Sequence, residues 1–273
     1  RPKIVVVGSC NMDLIATVPH APLPGETVLG NSFSTALGGK GANQAVAAAR
    51  LGGQVSMIGR VGDDEYGKAQ RSGLARDGVD CTYVNVDPDS HTGIALITVD
   101  VLGENSIVVV PGANARLGPT DVEVAAQTIV DADVLVMQLE VPIETVEHAA
   151  KIAHNHGVHV MINPAPAQEL SPELMTHLDT LVLNESETML LAGIAAEDLE
   201  RARTAARILH EKEVEAVVIT LGRQGAFCSR HDHAEPVPAF QVDTVDTTAA
   251  GDAFVGALAV ATARGIAWPA AVR

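Results

Sequence analysis

The chain has 273 residues, 47% of them hydrophobic and 3% aromatic, and a formal net charge of −16. Such a length holds one large α/β domain, or a large domain with a small appendage, around a sizeable core. The charge and the shortage of aromatic rings exclude nucleic acid, which is held by clustered Lys and Arg and by stacking, and no apolar run reaches the roughly 18 residues of a membrane helix.

The opening RPKIVVVG reads as a strand without a cleavable signal pattern. An initiator Met is lacking, so the true start is expected slightly upstream. Continuous apolar, β-branched strands are expected at Ile4 to Gly8, Asp133 to Gln138, Val158 to Asn163, Thr180 to Asn184 and Glu215 to Thr220, the pattern of strands covered on both faces. Helices are expected at Gly41 to Leu51, Asp64 to Asp77, Pro119 to Ala132, Pro142 to His156, Asp198 to Glu211 and Ala249 to Arg264. Gly52, Gly78 and Gly157 stand just past helix ends, where a left-handed residue is wanted. The alternation predicts an α/β fold: three layers, a mostly parallel sheet with helices on both faces.

Two segments break the rhythm. ITVD and SIVVV flank Gly103, Glu104 and Asn105 and read as a hairpin, while ETVLG and SFSTAL alternate between prolines and glycines. Together they predict a small inserted β-sheet lid from 13–38 and 91–110, on a core of 1–12, 39–90 and 111–273. Cys10, Cys81 and Cys228, odd in number and far apart, read as reduced thiols of a cytoplasmic protein.

GGKGANQ (Gly38 to Gln44) places a lysine among glycines, but it is no P-loop. The first required glycine is Ser34, and Gly41 stands where Ser or Thr must follow the lysine. The segment richest in chemistry is VDTTAAGDAFVGALAVA (Val245 to Ala261), where small residues precede Asp252 at the mouth of an Ala-rich helix. Small residues let a ligand approach the backbone, and a helix start offers unpaired N–H groups to an anion. Asp252 then has two readings. It favours the helix dipole, worth about 0.3–1 kcal/mol, or it is a general base beside an anion hole, as phosphoryl transfer to a hydroxyl requires.

Several motifs occur in order: GSCNMD (Gly8 to Asp13), PGETVLG (Pro24 to Gly30), GGKGANQAVAAARLG (Gly38 to Gly52), GDDEYG (Gly62 to Gly67), MQLE (Met137 to Glu140), NPAPA (Asn163 to Ala167), NESE (Asn184 to Glu187), TLGRQG (Thr220 to Gly225) and DTTAAGD (Asp246 to Asp252). From Ile4 to about Ala271 the chain resembles the ribokinase-like (phosphofructokinase B-type) carbohydrate kinases. The resemblance implies transfer of the ATP γ-phosphoryl to the 5-hydroxyl of D-ribose. It implies Asp252 as the base, with the N–H groups of Ala249, Ala250 and Gly251 facing the developing charge. Sugar contacts are implied for Asn11, Asp13, Gly39, Lys40, Asn43 and Glu140. Nucleotide contacts are implied for Asn184, Glu187, Thr220, Leu221, Gly222, Arg223, Gln224, Gly225 and Gly251. Mg²⁺ is implied near Glu187, largely through water, and an activating monovalent cation such as K⁺ at Asp246 and the Thr248 carbonyl. It implies a homodimer through the lid, whose edges need covering.

Each residue also has a plainer reading. Asn11 and Asp13 could cap a turn, Glu140 could be a solvated loop acid, Lys40 a surface cation, NESE a helix start and TLGRQG a tight strand-to-strand turn. The resemblance implies several tens of residues past Arg273, in a tail that supplies part of the adenine pocket and further cation carbonyls; either this sequence omits it, the expected explanation, or the chain is crippled in nucleotide binding. His148, His154, His156 and His159 lie too spread around a helix to converge on zinc, and His231 and His233 read as a solvent-facing turn. Two rivals stand beside the ribose kinase. One is a kinase for another sugar or a nucleoside; the other is a non-catalytic sugar-binding regulator, expected to lose Asp252 or Gly251.

Overall fold

The computed structural model describes residues 1–230, 233–243 and 247–273. It begins with β1 (Lys3–Val7), β2 (Asn11–Thr17), β3 (Ser32–Gly38), α1 (Lys40–Arg50), β4 (Gln54–Gly62), α2 (Glu65–Arg76), β5 (Val79–Asp87), β6 (Gly93–Val99) and β7 (Asn105–Val110). Next come α3 (Pro119–Val124), α4 (Ala126–Val130), β8 (Val134–Met137), α5 (Ile143–Asn155), β9 (His159–Ile162), α6 (Pro172–Thr176), β10 (Thr180–Leu183) and α7 (Glu185–Ala192). The chain closes with α8 (Leu199–His210), β11 (Ala216–Thr220), β12 (Ala226–Arg230), β13 (His233–Val237) and α9 (Ala250–Ala263).

Nine strands form one sheet in the order β13-β12-β11-β10-β9-β8-β1-β4-β5. Pairing is parallel from β11 to β5, and β12 and β13 add an antiparallel edge. Along β1 and β8 successive side chains enter opposite cores, as the period of two requires. Val5, Val7, Leu135 and Met137 pack against α3 to α8, and Ile4, Val6, Val134 and Val136 pack against α1, α2 and α9. The strand order reverses between β1 and β8, the switch point beyond whose carboxyl ends an open α/β sheet forms its crevice. That is where GSCNMD and MQLE emerge.

The lid is a separate four-stranded sheet, β3-β2-β6-β7. The expected hairpin is present: β6 and β7 pair antiparallel from Ile94↔Val110 to Val99↔Asn105. ETVLG is not a strand; Glu26 closes a turn instead, its carboxylate accepting the Leu23 N–H at 2.9 Å. The strand that pairs with SFSTAL is β2, which begins at Asn11, so the sheet reaches two residues back into GSCNMD. The helix expected from Pro119 to Ala132 is split at Ala125, where Ala125 N–H reaches back three residues to Val122. This tighter turn lets Val122, Ala125 and Ile129 all face the core. Gly52, Gly78 and Gly157 have φ of 91°, 85° and 71°, as their positions after helices demand.

Candidate active site

Three chain crossings meet in the crevice: the exit of β1, the turn from β3 into α1, and the end of β8. Gly39 makes the second turn with φ 93°, and a Cβ there would stand 2.6 Å from the Asn11 nitrogen and 2.9 Å from the Ser9 oxygen. Glu140 Oε2 gathers the three crossings, accepting from Ser9 Oγ at 2.5 Å, the Lys40 N–H at 3.1 Å and Asn11 Nδ2 at 3.4 Å. It is a built-in acceptor and no loose loop acid. Asn114 braces the far side, donating to Asn11 Oδ1 at 2.7 Å and bridging the Cys10 backbone.

Asp13 lies over Gly38, where any side chain would collide with its carboxylate. Burial, reinforced by Glu140 and then Asp252, pushes the Asp13 carboxyl up to about 6. Three acids within electrostatic reach leave the crevice rich in acceptors and poor in donors. A ligand bearing several hydroxyls supplies what is missing.

Asp252 sits in the first turn of α9 and is 6% exposed. Both carboxylate oxygens are held by α1: Oδ2 by Asn43 Nδ2 and Oδ1 by Gln44 Nε2, each at 3.0 Å. The dipole reading alone does not explain this tether across the crevice. Ala249 before it is left-handed, with φ 55°. Ala250 N–H, expected to face the reacting group, donates to the Thr247 carbonyl at 3.1 Å. At Gly251 a Cβ would meet nothing within 4 Å, so a ligand can approach its backbone.

Beyond Asp252 are two neighbouring cavities that share Thr220, Ala250 and Gly251. One, about 250 Å³, is lined by Lys40, Asn163, Asn184, Glu187 and Asp252. Lys40 therefore divides its work: its backbone serves Glu140, and its side chain joins this pocket and pulls on Glu187 electrostatically. Asn184 and Glu187 cap α7 reciprocally, and burial pushes the Glu187 carboxyl above its ordinary range. The second cavity, about 330 Å³, is apolar, with Val237, Pro238, Phe240, Phe254 and Val272 beside Gly222 and Gly225.

TLGRQG is thus both a turn between β11 and β12 and a cavity wall. Thr220, Gly222 and Gly225 line the cavity, Leu221 is buried, and Gln224 donates outward to the Glu197 carbonyl. Arg223 is exposed on the same turn. Asp246 and His231 lie outside the described residues, and Thr248 is exposed just before α9. The histidines are otherwise occupied: His148 with Glu123, His154 against the His177 ring, His156 with the Ile152 carbonyl, His159 with Thr180. Unexpected from the sequence are Ser9, Gln44, Asn114, Gln138 and Asn163. All but Asn114 lie inside motifs already noted, yet nothing in those strings says which polar residues turn inward.

An acceptor-lined crevice, a buried carboxylate at a helix mouth, and an anion-sized pocket leading to an apolar one define an enzyme that moves a phosphoryl group from a nucleotide to a hydroxylated acceptor. The chain belongs to the pfkB family of carbohydrate kinases, whose model matches residues 1–273. It is 44% identical to a ribokinase of Haemophilus influenzae over 261 residues, 96% of this chain and 85% of that one. It is 41% identical to a deoxyribokinase of Salmonella typhi over 94% of this chain and 84% of that one. The fold superposes on an Arabidopsis thaliana ribokinase complexed with ribose and ATP with a TM-score of 0.92, at 31% identity, covering 99% and 89% of the two chains.

Proposed function

We propose that this chain phosphorylates D-ribose at its 5-hydroxyl with ATP, giving ribose 5-phosphate. What carries the reading is Asp252, tethered between an acceptor-rich crevice and the pocket of Lys40 and Glu187. In this reading the sugar hydroxyls donate to Asp13 and Glu140 and accept from Asn11 and Asn43. Asp252 takes the proton of the attacking hydroxyl, while Lys40 and the Gly251 backbone meet the transferring charge. The adenine lies in the apolar cavity between Val237–Phe240 and Phe254. The two nearly equal relatives make 2-deoxyribose the serious rival substrate. A coupled ADP-release assay with ribose, 2-deoxyribose, fructose and adenosine decides: ribose is expected to give the highest kcat/KM, and a faster deoxyribose overturns the assignment. Ribose binding without turnover on any of them would make the chain a regulator.

Magnesium fits this site through water. Glu187 already accepts from the Asn184 backbone and side chain and from Asn163, so little of its carboxylate is left for direct ligation. When bound, the ion would neutralise phosphate charge, and it would ease the burial of Glu187. A monovalent cation at Asp246 and the Thr248 carbonyl is the companion proposal. Among the described residues no three His, Cys, Asp or Glu side chains converge as a metal cluster.

Asp13 makes sugar binding pH-dependent. Its carboxyl stands above its ordinary 3.8, at about 6. Its contribution to stability is therefore complete below about pH 4 and lost as pH rises through about 6. Hydroxyls that donate to the ionised form reverse that loss, so ribose binding releases a proton. Calorimetry is expected to show ribose binding about tenfold weaker at pH 5 than at pH 7. Equal affinity at the two values overturns the role of Asp13.

The lid exposes Phe33, Leu96, Ile107, Val108 and Val109. Exposed apolar strands invite a partner, and a homodimer through this sheet is the proposed cover. Light scattering at micromolar concentration is expected to give twice the chain mass; a monomer overturns it. Cys10 and Cys228 are buried, with thiols pushed up to about 12 and about 11 by burial, and no disulfide joins the three cysteines. No helix among the described residues is long and apolar enough to cross a membrane. Both suit the cytoplasm, the location proposed.

A further inference from the structure

Behind Asp252 runs a chain of buried amides whose direction is set from one end. Asp252 Oδ1 can only accept, so Gln44 must present its amino group there. The carbonyl of Gln44 then faces Gln138, which must donate in turn, Nε2 to Oε1 at 2.7 Å. Gln138 is left with its own Oε1 buried and without a partner, pressed against the open side of Gly8. Turning that amide over would set two carbonyls face to face, so the orphaned oxygen follows from the charge on Asp252 two groups away. Gln44 and Gln138 are both wholly buried.

A second branch runs toward the nucleotide side. Gln44 Nε2 also lies 3.5 Å from Asn163 Oδ1, and Asn163 Nδ2 donates to the Val182 carbonyl at 3.1 Å and to Glu187 Oε2 at 3.3 Å. One side-chain amide thus touches the acid on the sugar side and, through Asn163, the acid on the phosphate side. Neither Asp13 nor Glu140 is bonded to it.

We propose that Gln44 is a positioning residue for phosphoryl transfer. It fixes the plane of the Asp252 carboxylate, Gln138 locks the orientation of Gln44, and Asn163 ties that placement to Glu187. The proposal rests on the reading of Asp252 as the base. A carboxylate free to rotate about its last bond would spend much of its time pointing its lone pairs away from the hydroxyl.

The test is steady-state kinetics on Gln44→Met, Gln138→Leu and the double variant, beside Asp252→Asn. Met keeps the length of Gln44 and removes both polar atoms. Gln44→Met is expected to lower kcat about tenfold or more while KM for sugar and nucleotide stays within about twofold. Gln138→Leu is expected to lower kcat less, and the double variant to be no slower than Gln44→Met, because Gln138 acts only through Gln44. Should Gln44→Met fail to fold by thermal melting, Gln44→Leu takes its place with the same expected split. A folded Gln44 variant with kcat within twofold of the parent overturns the proposal. So do parallel changes in kcat and KM, or losses that multiply in the double variant. If Asp252→Asn itself keeps its turnover, the base reading falls; if that variant is inactive and Gln44→Met is unimpaired, only the positioning role falls.

Discussion

Asp252→Asn is expected to lower kcat by at least about 10² to 10⁴, the contribution typical of a positioned base, with KM for ribose and ATP little changed. The substitution is conservative in shape, so the fold should survive it. It is not conservative in hydrogen bonding. Oδ1 and Oδ2 each accept from an α1 amide, Gln44 and Asn43. An asparagine keeps one acceptor and turns an amino group toward a donor that already points at it. One tether is lost together with the base, and the remaining one holds a group unable to take a proton. In the proposed reading sugar binding depends instead on Asp13, Asn11 and Glu140; Glu140 is held by Ser9 and the Lys40 backbone, and Asn11 by Asn114. Turnover and binding should therefore separate. Stopped assays for ribose 5-phosphate, with calorimetry for ribose, check both halves; turnover within tenfold of the parent would remove Asp252 from the chemistry.

Much of this was legible in the sequence, for a physical reason. Strands buried on both faces show as continuous apolar runs, and β1, β8, β9, β10 and β11 all carry one. Strands β4 and β5 carry no such run, because Ser56, Gly59, Arg60, Asp80 and Asn85 interrupt them. Those polar groups are satisfied by partners distant in sequence, such as Arg60 with Asp87 and Asp121, and Asn85 with Asp121. The same limit governs the site. Asp252 and Glu140 stand out because an acid just past a strand or at a helix mouth is in the right place for chemistry. Gln44 and Gln138 do not, since an amide inside an Ala-rich helix or at a strand end has no local signature. Only the packing of α1 against α9 turns Gln44 toward Asp252. That packing is close: a Cβ at Gly256 would come within 2.7 Å of the Gln44 backbone oxygen and of the Ala47 Cβ.

The answer to what GGKGANQ does follows from Gly41. Its neighbour Gly39 is needed for a turn, but Gly41 lies within α1 and is needed for approach. A Cβ there would stand 2.6 Å from Gly8 C and Ser9 N and 2.8 Å from Gly8 Cα, all of it backbone that cannot swing aside. The contact lets the Gly41 N–H reach Ser9 Oγ at 3.3 Å and the Ala42 N–H reach the Ser9 carbonyl at 2.9 Å. The helix start is thereby seated on the end of β1. Lys40, Asn43 and Gln44 all leave from this first turn and a half, toward Glu140, Asp252 and the pocket of Asn184 and Glu187. Gly41→Ala should therefore act on binding and catalysis together. Overpacking of this kind costs about 1–3 kcal/mol in stability, while a misplacement approaching 1 Å costs about 10² in rate. We expect kcat/KM for ribose to fall at least about a hundredfold in a protein that still folds. Gly78→Ala is the control, since its left-handed φ of 85° carries strain but a Cβ there meets nothing within 4 Å. It should lose roughly 1 kcal/mol of stability and no activity. If the two variants lose activity equally, the seating of α1 on β1 is not what assembles this site.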